Sequence, residues 1–356
     1  MKKTNYYCPI NQTGYGIASL NILSSLTDIG YEISYFPIGK PSVTSQEEYD
    51  LVTKCMKTKA DPQAPCVKIW HQFDLFHKVG NGNYFAYPFF ELDTFNDTEK
   101  YSMEFPNTLL VSSKWAKQII QENQIKTPTS VVPLGVNRKI FDHTRFPKKD
   151  TEKYIFLTIG KWEIRKCHDI LPDIFKAAFP TESDVELWIL ASSTTNSYSN
   201  EKEVQDWKNL YSVDKRLKVL DGVPTHQDIA KLISQSDCGI YLSHAEGWNL
   251  ELLETMSMNK PVIATDYSAH TEFCTPDNCL LVDITEKEKA YDGKAFNGQG
   301  NWAKIDKEQI NQTIDYMRYL YKNRINTNEN GIKTSKLYSW ENSARALARC
   351  IENNTV

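Results

Sequence analysis

The chain has 356 residues, with 41 Lys and Arg against 45 Asp and Glu, so its net charge is −4; 40% of it is hydrophobic and 24% charged. At roughly 100–200 residues per domain this implies two domains, each able to bury a core without staples. The balanced composition excludes a disordered, collagenous or disulfide-rich chain, and the slight acidity excludes an overall basic field for nucleic acid.

Eight scattered cysteines form no C-x-x-C pair. They read as free thiols of a reducing compartment, and neither a disulfide framework nor a zinc site is expected. The basic start lacks an apolar h-region, and no stretch reaches the roughly 20 apolar residues of a membrane span. The expectation is a cytoplasmic protein, with peripheral contact at a membrane face left open.

In chain order, an apolar run at Tyr6–Ile10 enters the loop Thr13-Gly14-Tyr15-Gly16. A helix-period segment follows and stops at Gly30, then a strand, EISYFPIG. Strand, glycine loop, helix and strand make a βαβ unit. Further strands are expected at Val67–His71, Tyr84–Pro88, Thr108–Ser112 and Ser130–Pro133, with helices near 46–58 and at Lys114–Asn123. The charged stretch Asp142–Lys153 lacks apolar periodicity and reads as a linker.

A second cycle opens with YIFLTIG (154–160) and alternates strands at 186–192, 217–223, 238–243 and 261–266 with helices at 169–179, 228–236 and 247–259. The polar region Thr285–Lys307 reads as a surface loop. A last amphipathic helix starts near Ser339, a plausible cap. Short apolar runs alternating with amphipathic helices predict two doubly wound α/β domains. The boundaries are read as 1–146 and 147–335, with a final helix at 336–356.

Three strings carry chemistry. In the first, residues 243–273, Glu246 lies between a strand end and a helix start, and Glu254 about two turns into that helix. At 1.5 Å per residue they lie at most ~12 Å apart along the axis, a span for two ends of an extended ligand. Between them Gly247, Trp248, Asn249 and Leu250 place amides at a helix N-terminus, where anions bind. A nucleotide-sugar has matching parts: ribose hydroxyls, a diphosphate and sugar hydroxyls. In the second string, residues 158–171, a strand ends at Gly160 and Lys161, Arg165 and Lys166 follow. Fixed cations stabilise a departing diphosphate, although a solvated charged loop has the same composition. In the third, Gly14 and Gly16 let the backbone approach a phosphate or sugar, or form a bare tight turn. A dinucleotide site is a weaker match, because Ser19 stands where a third glycine would be.

The string EGWNLELLETMSMNKPVIA resembles the E-x7-E segment of retaining glycosyltransferases of family 4 (glycosyl transferases group 1), typically EGFGLPLLEAMACGKPVIA. GKWEIRK resembles that family's basic pair, with Lys161 at the usual Arg position and Lys166 at the lysine. VVPLGVN resembles its segment before the interdomain linker, and SWENSARALARCI its last helix, which crosses back to the first domain. Cys167 and Asn259 stand where the family usually has glycine.

The resemblance implies a GT-B fold: two doubly wound Rossmann-like domains facing each other across a cleft. It implies retaining transfer from a nucleotide-diphosphate-sugar, UDP- or GDP-linked, to a glycan, lipid-linked or small acceptor, with no cofactor and no metal. Glu246 would meet the donor sugar and Glu254 the ribose. His71 and Glu91, at strand ends of the first domain, are the acceptor-side candidates, His71 also as a catalytic group; a packing histidine fits the same position. Glu91 and Asp93 are not read as metal ligands. His244, beside Glu246, either reaches the sugar or phosphate or holds a backbone partner. The rival readings are a sugar phosphorylase or synthase on the same fold and a non-catalytic nucleotide-sugar-binding protein.

Overall fold

The computed structural model of the chain describes residues 2–148, 151–192, 201–220, 222 and 225–353. It divides into two compact units, Met1–Asn137 with Tyr338–Val356, and Arg138–Leu337.

The first unit runs β1 (Lys2–Cys8), α1 (Gly14–Asp28), β2 (Tyr31–Pro37), α2 (Gln46–Lys57), β3 (Cys66–Ile69), β4 (Tyr84–Tyr87), α3 (Asp97–Glu104), β5 (Thr108–Val111), α4 (Lys114–Glu122) and β6 (Thr129–Val131). Its six strands are parallel in the order β2-β1-β3-β4-β5-β6. Every residue of β3, β4 and β5 is buried, as in a sheet covered on both faces. The chain moves outward from β1 to β2, then returns to place β3 on the other side of β1. The sheet's switch point is therefore between β1 and β3, and the crevice beyond their carboxyl ends is where such sheets bind ligands.

The second unit runs β7 (Tyr154–Lys161), α5 (Leu171–Ala178), β8 (Val185–Ser192), α6 (Glu201–Tyr211), β9 (Leu217–Leu220), α7 (His226–Gln235), β10 (Cys238–Tyr241), α8 (Leu250–Ser257), β11 (Val262–Thr265), β12 (Leu280–Val282), β13 (Lys287–Tyr291), β14 (Asn297–Ala303), α9 (Lys307–Lys322) and α10 (Glu329–Leu337). The order β12-β11-β10-β7-β8-β9 is again parallel and puts the switch point between β7 and β10. Phe156, Phe175, Phe179, Leu187, Ile189 and Met317 lie in its core.

The final helix, α11 (Trp340–Asn353), packs on α1 of the first unit. Tyr31 donates to Glu352 at 2.8 Å, Val136 pairs with Ser339, and a side chain at Gly135 would meet the Ser339 backbone at 2.3 Å.

Several expectations are corrected. The units divide at Asn137, ahead of the stretch read as a linker. The described part of that stretch is tied to the second unit: Ser257 donates to the Phe141 carbonyl at 2.7 Å, and Lys148 pairs with Asp237. Lys149 and Asp150 lie outside the described residues, as do Asp221 and Val223 at the end of the expected strand 217–223. The region read as a surface loop is the antiparallel hairpin β13–β14, with Trp302 2% exposed. Its glycines hid it: Gly293, Gly298 and Gly300 take positive φ, and a bulge breaks the alternation between Lys289 and Tyr291. Helices α3, α6, α9 and α10 were not anticipated. Among the described residues no helix is long and apolar enough to cross a membrane.

Candidate active site

The loops leaving β7 and β10 meet at the switch point of the second sheet, and together they build one charged cluster. Glu246 is 5% exposed. Its carboxylate pairs with Arg165 at 2.8 Å and with Lys166 at 2.8 Å, and accepts from the Ser243 hydroxyl at 2.8 Å. Arg165 also holds Glu163 at 2.6 Å and donates to the Ala245 carbonyl at 2.6 Å. Burial alone would raise the Glu246 carboxyl, but Arg165 and Lys166 outweigh it and hold the group well below the usual carboxylate range. Burial opposes the charge on Lys166 in the same way, and Glu246 overcomes it, so its ammonium titrates above the ordinary value.

Backbone geometry brings these side chains together. Gly160 ends the β7 apolar run, and a Cβ there would stand 2.7 Å from Lys166 Cδ, so the glycine makes room for the lysine stem. Cys167 follows in the left-handed region at φ 56°, and Asn259 sits there at φ 61°. These are the two positions where the resembling family usually carries glycine. The departure therefore keeps the turns and costs on the order of 1–2 kcal/mol of backbone strain at each, less for Asn. Asn249 and Ser268 also take positive φ beside the cluster, as strained residues at binding sites commonly do.

The helix predicted from Gly247 begins at Leu250, because Asn249 turns left-handed and caps it, accepting from the Leu252 amide at 3.2 Å. Gly247 and Trp248 thus belong to the entering turn, and Trp248 lies on Phe273 with ring centroids 4.8 Å apart. Glu254 stands about one turn into α8 rather than two. It is 7% exposed, and burial, with Glu251 beside it, pushes its carboxyl well above the usual range. No described residue donates to that carboxyl.

Some contributors escaped the reading of the sequence. Glu163 neutralises Arg165, and Ser268 accepts from the Glu246 amide at 2.8 Å. His270 stands 2.9 Å from the Asn249 amide nitrogen and 3.0 Å from the Thr265 carbonyl. Burial pushes the fully enclosed His168 imidazole down to about 3, so it is neutral. Glu163 was legible two residues before Arg165; Ser268 and His270 lay inside the quoted 243–273 string without a spacing that marks them. Arg165, whose direction the sequence left open, is held by Glu163, Glu246 and the Ala245 carbonyl and so secures the Glu246 loop. His244 takes the backbone partner: its Nδ1 lies 2.6 Å from the Ala303 carbonyl.

The switch-point edge of the first sheet has different chemistry. His71 lies in the loop just past β3, within a ring cluster. It stacks on Phe73 at 5.2 Å and meets Tyr15 at 4.6 Å and Trp70 at 4.8 Å. The Tyr15 hydroxyl donates to the Phe89 carbonyl at 2.8 Å; burial, then Glu91, raises it above the ordinary range. Glu91 follows β4, which ends at Tyr87. Gly14 leads into α1 with open space where a side chain would stand. Gly16 is accounted for by packing, since a Cβ would lie 2.2 Å from the Asn11 backbone nitrogen. Among the described residues no group of three His, Cys, Asp or Glu side chains is placed to hold a metal.

Residues 140–293 match the family model for glycosyl transferases group 1. A sequence search of curated proteins finds no match. Among solved structures, sucrose-phosphate synthase of Thermosynechococcus elongatus aligns at a TM-score of 0.72 and 13% identity, over 99% of each chain. The α,α-trehalose 6-phosphate synthase of Burkholderia multivorans aligns at 0.70 and 8% identity, over 99% of this chain and 96% of its own. Anabaena HepE in complex with UDP-glucose aligns at 0.68 and 12% identity, over 99% and 100%. The chain thus has the GT-B fold, and its segment 140–293 matches the glycosyl transferases group 1 family.

Proposed function

We propose that the protein is a retaining, metal-independent glycosyltransferase that moves a sugar from a nucleotide-diphosphate-sugar to a glycan, lipid-linked or small-molecule acceptor. One observation carries the reading. A buried carboxylate, Glu246, is gripped by Arg165 and Lys166 at the ligand-binding edge of a doubly wound sheet, inside the segment that matches the group 1 family. The UDP-glucose bound by the Anabaena protein supports a nucleotide-sugar, UDP- or GDP-linked, as donor.

In this reading the acceptor oxygen attacks the anomeric carbon on the face from which the diphosphate departs. The anomeric C–O bond breaks, its electron pair goes to the diphosphate oxygen, and that oxygen takes the acceptor proton. Lys161, Lys166 and the turn Gly247–Leu250 are the groups offered to the growing negative charge, which they stabilise more in the transition state than in the ground state. Glu246 remains ionised, so it accepts from sugar hydroxyls rather than protonating the leaving group. Glu254, a buried carboxyl awaiting donors, suits ribose hydroxyls. Gly14, with open space where a side chain would stand, is the glycine-loop candidate for a phosphate or sugar. His71 and Glu91 serve the acceptor, and His71 is the candidate for guiding its hydroxyl.

The test is a panel of UDP-, GDP- and ADP-sugars, scored by nucleotide release and thermal shift, with and without inorganic phosphate. Release from one donor class, independent of phosphate and lowered about a hundredfold or more in Glu246→Ala, is the expected result. Phosphate-dependent turnover would mark a phosphorylase. A thermal shift with no turnover on any acceptor would mark a binding protein.

A further inference from the structure

We infer that the β13–β14 hairpin is a clamp on the Glu246 loop, with His244 and Trp302 as its positioning residues; only the catalytic consequence rests on the glycosyltransferase reading. The hairpin holds the loop at His244. The Ala303 amide donates to the His244 carbonyl at 2.9 Å, and the His244 Nδ1 lies 2.6 Å from the Ala303 carbonyl. A carbonyl only accepts, so Nδ1 carries the proton and donates. The imidazole stacks on the Trp302 indole, with centroids 4.8 Å apart and planes 22° from parallel. Phe296 backs that indole at 5.1 Å, and Glu288 approaches Nδ1 at 3.4 Å.

On its other side the same residue joins the cation loop. The His244 amide donates to the Arg165 carbonyl at 2.7 Å, and Arg165 returns to the Ala245 carbonyl and to the Glu246 carboxylate. His244 is thus held at its amide, its carbonyl and its ring, two residues before Glu246. Without the hairpin, the carbonyl and the ring lose their partners. The dependence runs both ways, because an isolated two-stranded hairpin is marginal in water. Here it is secured by burying Trp302, Ala303 and Ala290. The segment that matches the group 1 family ends at residue 293, so β14, which carries the clamp's Trp302 and Ala303, lies beyond it.

Hydrogen exchange of the amides at 243–249, read alongside steady-state kinetics, tests the clamp. Trp302→Ala removes the stack; His244→Phe keeps a stacking ring and removes the Nδ1 donor; Trp302→Phe restores part of the stack. Exchange at 243–249 should speed up by about tenfold or more in the first two variants and recover in the third, while α5 and α9 keep their protection. For the donor that the panel identifies, kcat should fall about ten- to a hundredfold with KM moving far less, since a misplaced group costs turnover rather than ground-state binding. If Trp302→Ala does not fold, His244→Phe carries the test. Wild-type exchange at 243–249 in a folded variant overturns the clamp, whatever its activity. Lost turnover with unchanged exchange also overturns it, since His244 would then act on substrate directly. If no nucleotide-sugar is turned over by the wild type, the exchange result still decides the clamp and the functional reading fails alone.

Discussion

The two sheets are built alike and used differently. Each has six parallel strands, and each places its distinctive residues beyond the carboxyl ends of the two strands flanking its switch point. At the β7/β10 edge these are Glu163, Arg165, Lys166 and Glu246, a largely enclosed charge cluster in which every member is paired. At the β1/β3 edge they are Tyr15, Trp70, His71 and Phe73, in ring-to-ring contact. The topology supplies an edge in both cases; the side chains decide whether it carries paired charges or stacked rings. A charged edge has to be complete, because a buried ion left alone costs far more than the pair contributes. An aromatic edge loses area gradually when one ring is removed.

That contrast can be broken by substitution. Glu246→Ala should show the largest effect. It strands Lys166 as a buried cation, so alongside the lost turnover we expect about 3–5 kcal/mol of destabilisation by urea titration. Gly160→Ala comes next. Its new Cβ displaces the Lys166 stem while leaving every charge in place, and kcat should fall about tenfold with the circular dichroism unchanged. His71→Ala, on the aromatic edge, should raise the acceptor KM by about three- to tenfold, and donor hydrolysis without acceptor should be unaffected. A loss of donor hydrolysis as large as that of Glu246→Ala would erase the distinction between the edges.

Glu254→Gln sharpens the comparison by separating stability from binding. The folded-state pKa of Glu254 is raised, so the native protein holds a proton there that the unfolded chain releases near the ordinary carboxylate value of about 4.3. Stability is lost as pH rises through that window, and the amide variant avoids the loss. Glu254→Gln should therefore be about 1 kcal/mol more stable than wild type at pH 7, with the gap closing towards pH 4, and should bind donor several-fold more weakly. Thermal melts from pH 4 to 8, with and without nucleotide, read both effects.

Much of this was legible in the residues. Continuous apolar runs such as YIFLTIG and PVIATD are local signals, and they placed strands β7 and β11. The E-x7-E string and the basic run after Gly160 placed Arg165, Lys166 and Glu246 of the charged edge, because a strand–loop–helix boundary is itself local. The hairpin β13–β14 was not legible, since its buried Trp302 and Ala303 sit among glycines and polar residues whose role appears only against His244. Nor was the task of Arg165, which depends on Glu163 and on an Ala245 carbonyl 80 residues away.

By itself, the sequence determined two α/β cycles, their strand order of appearance, and which residues stand at strand ends, all consequences of short-range periodicity and turn chemistry. Only the tertiary structure decided that Lys166 and Arg165 share one carboxylate. It also decided that Gly16 is spent on packing while Gly160 makes room for the Lys166 stem. Those outcomes follow from which loops the parallel sheet brings together at its switch point, and that depends on long-range pairing rather than on neighbours in the chain.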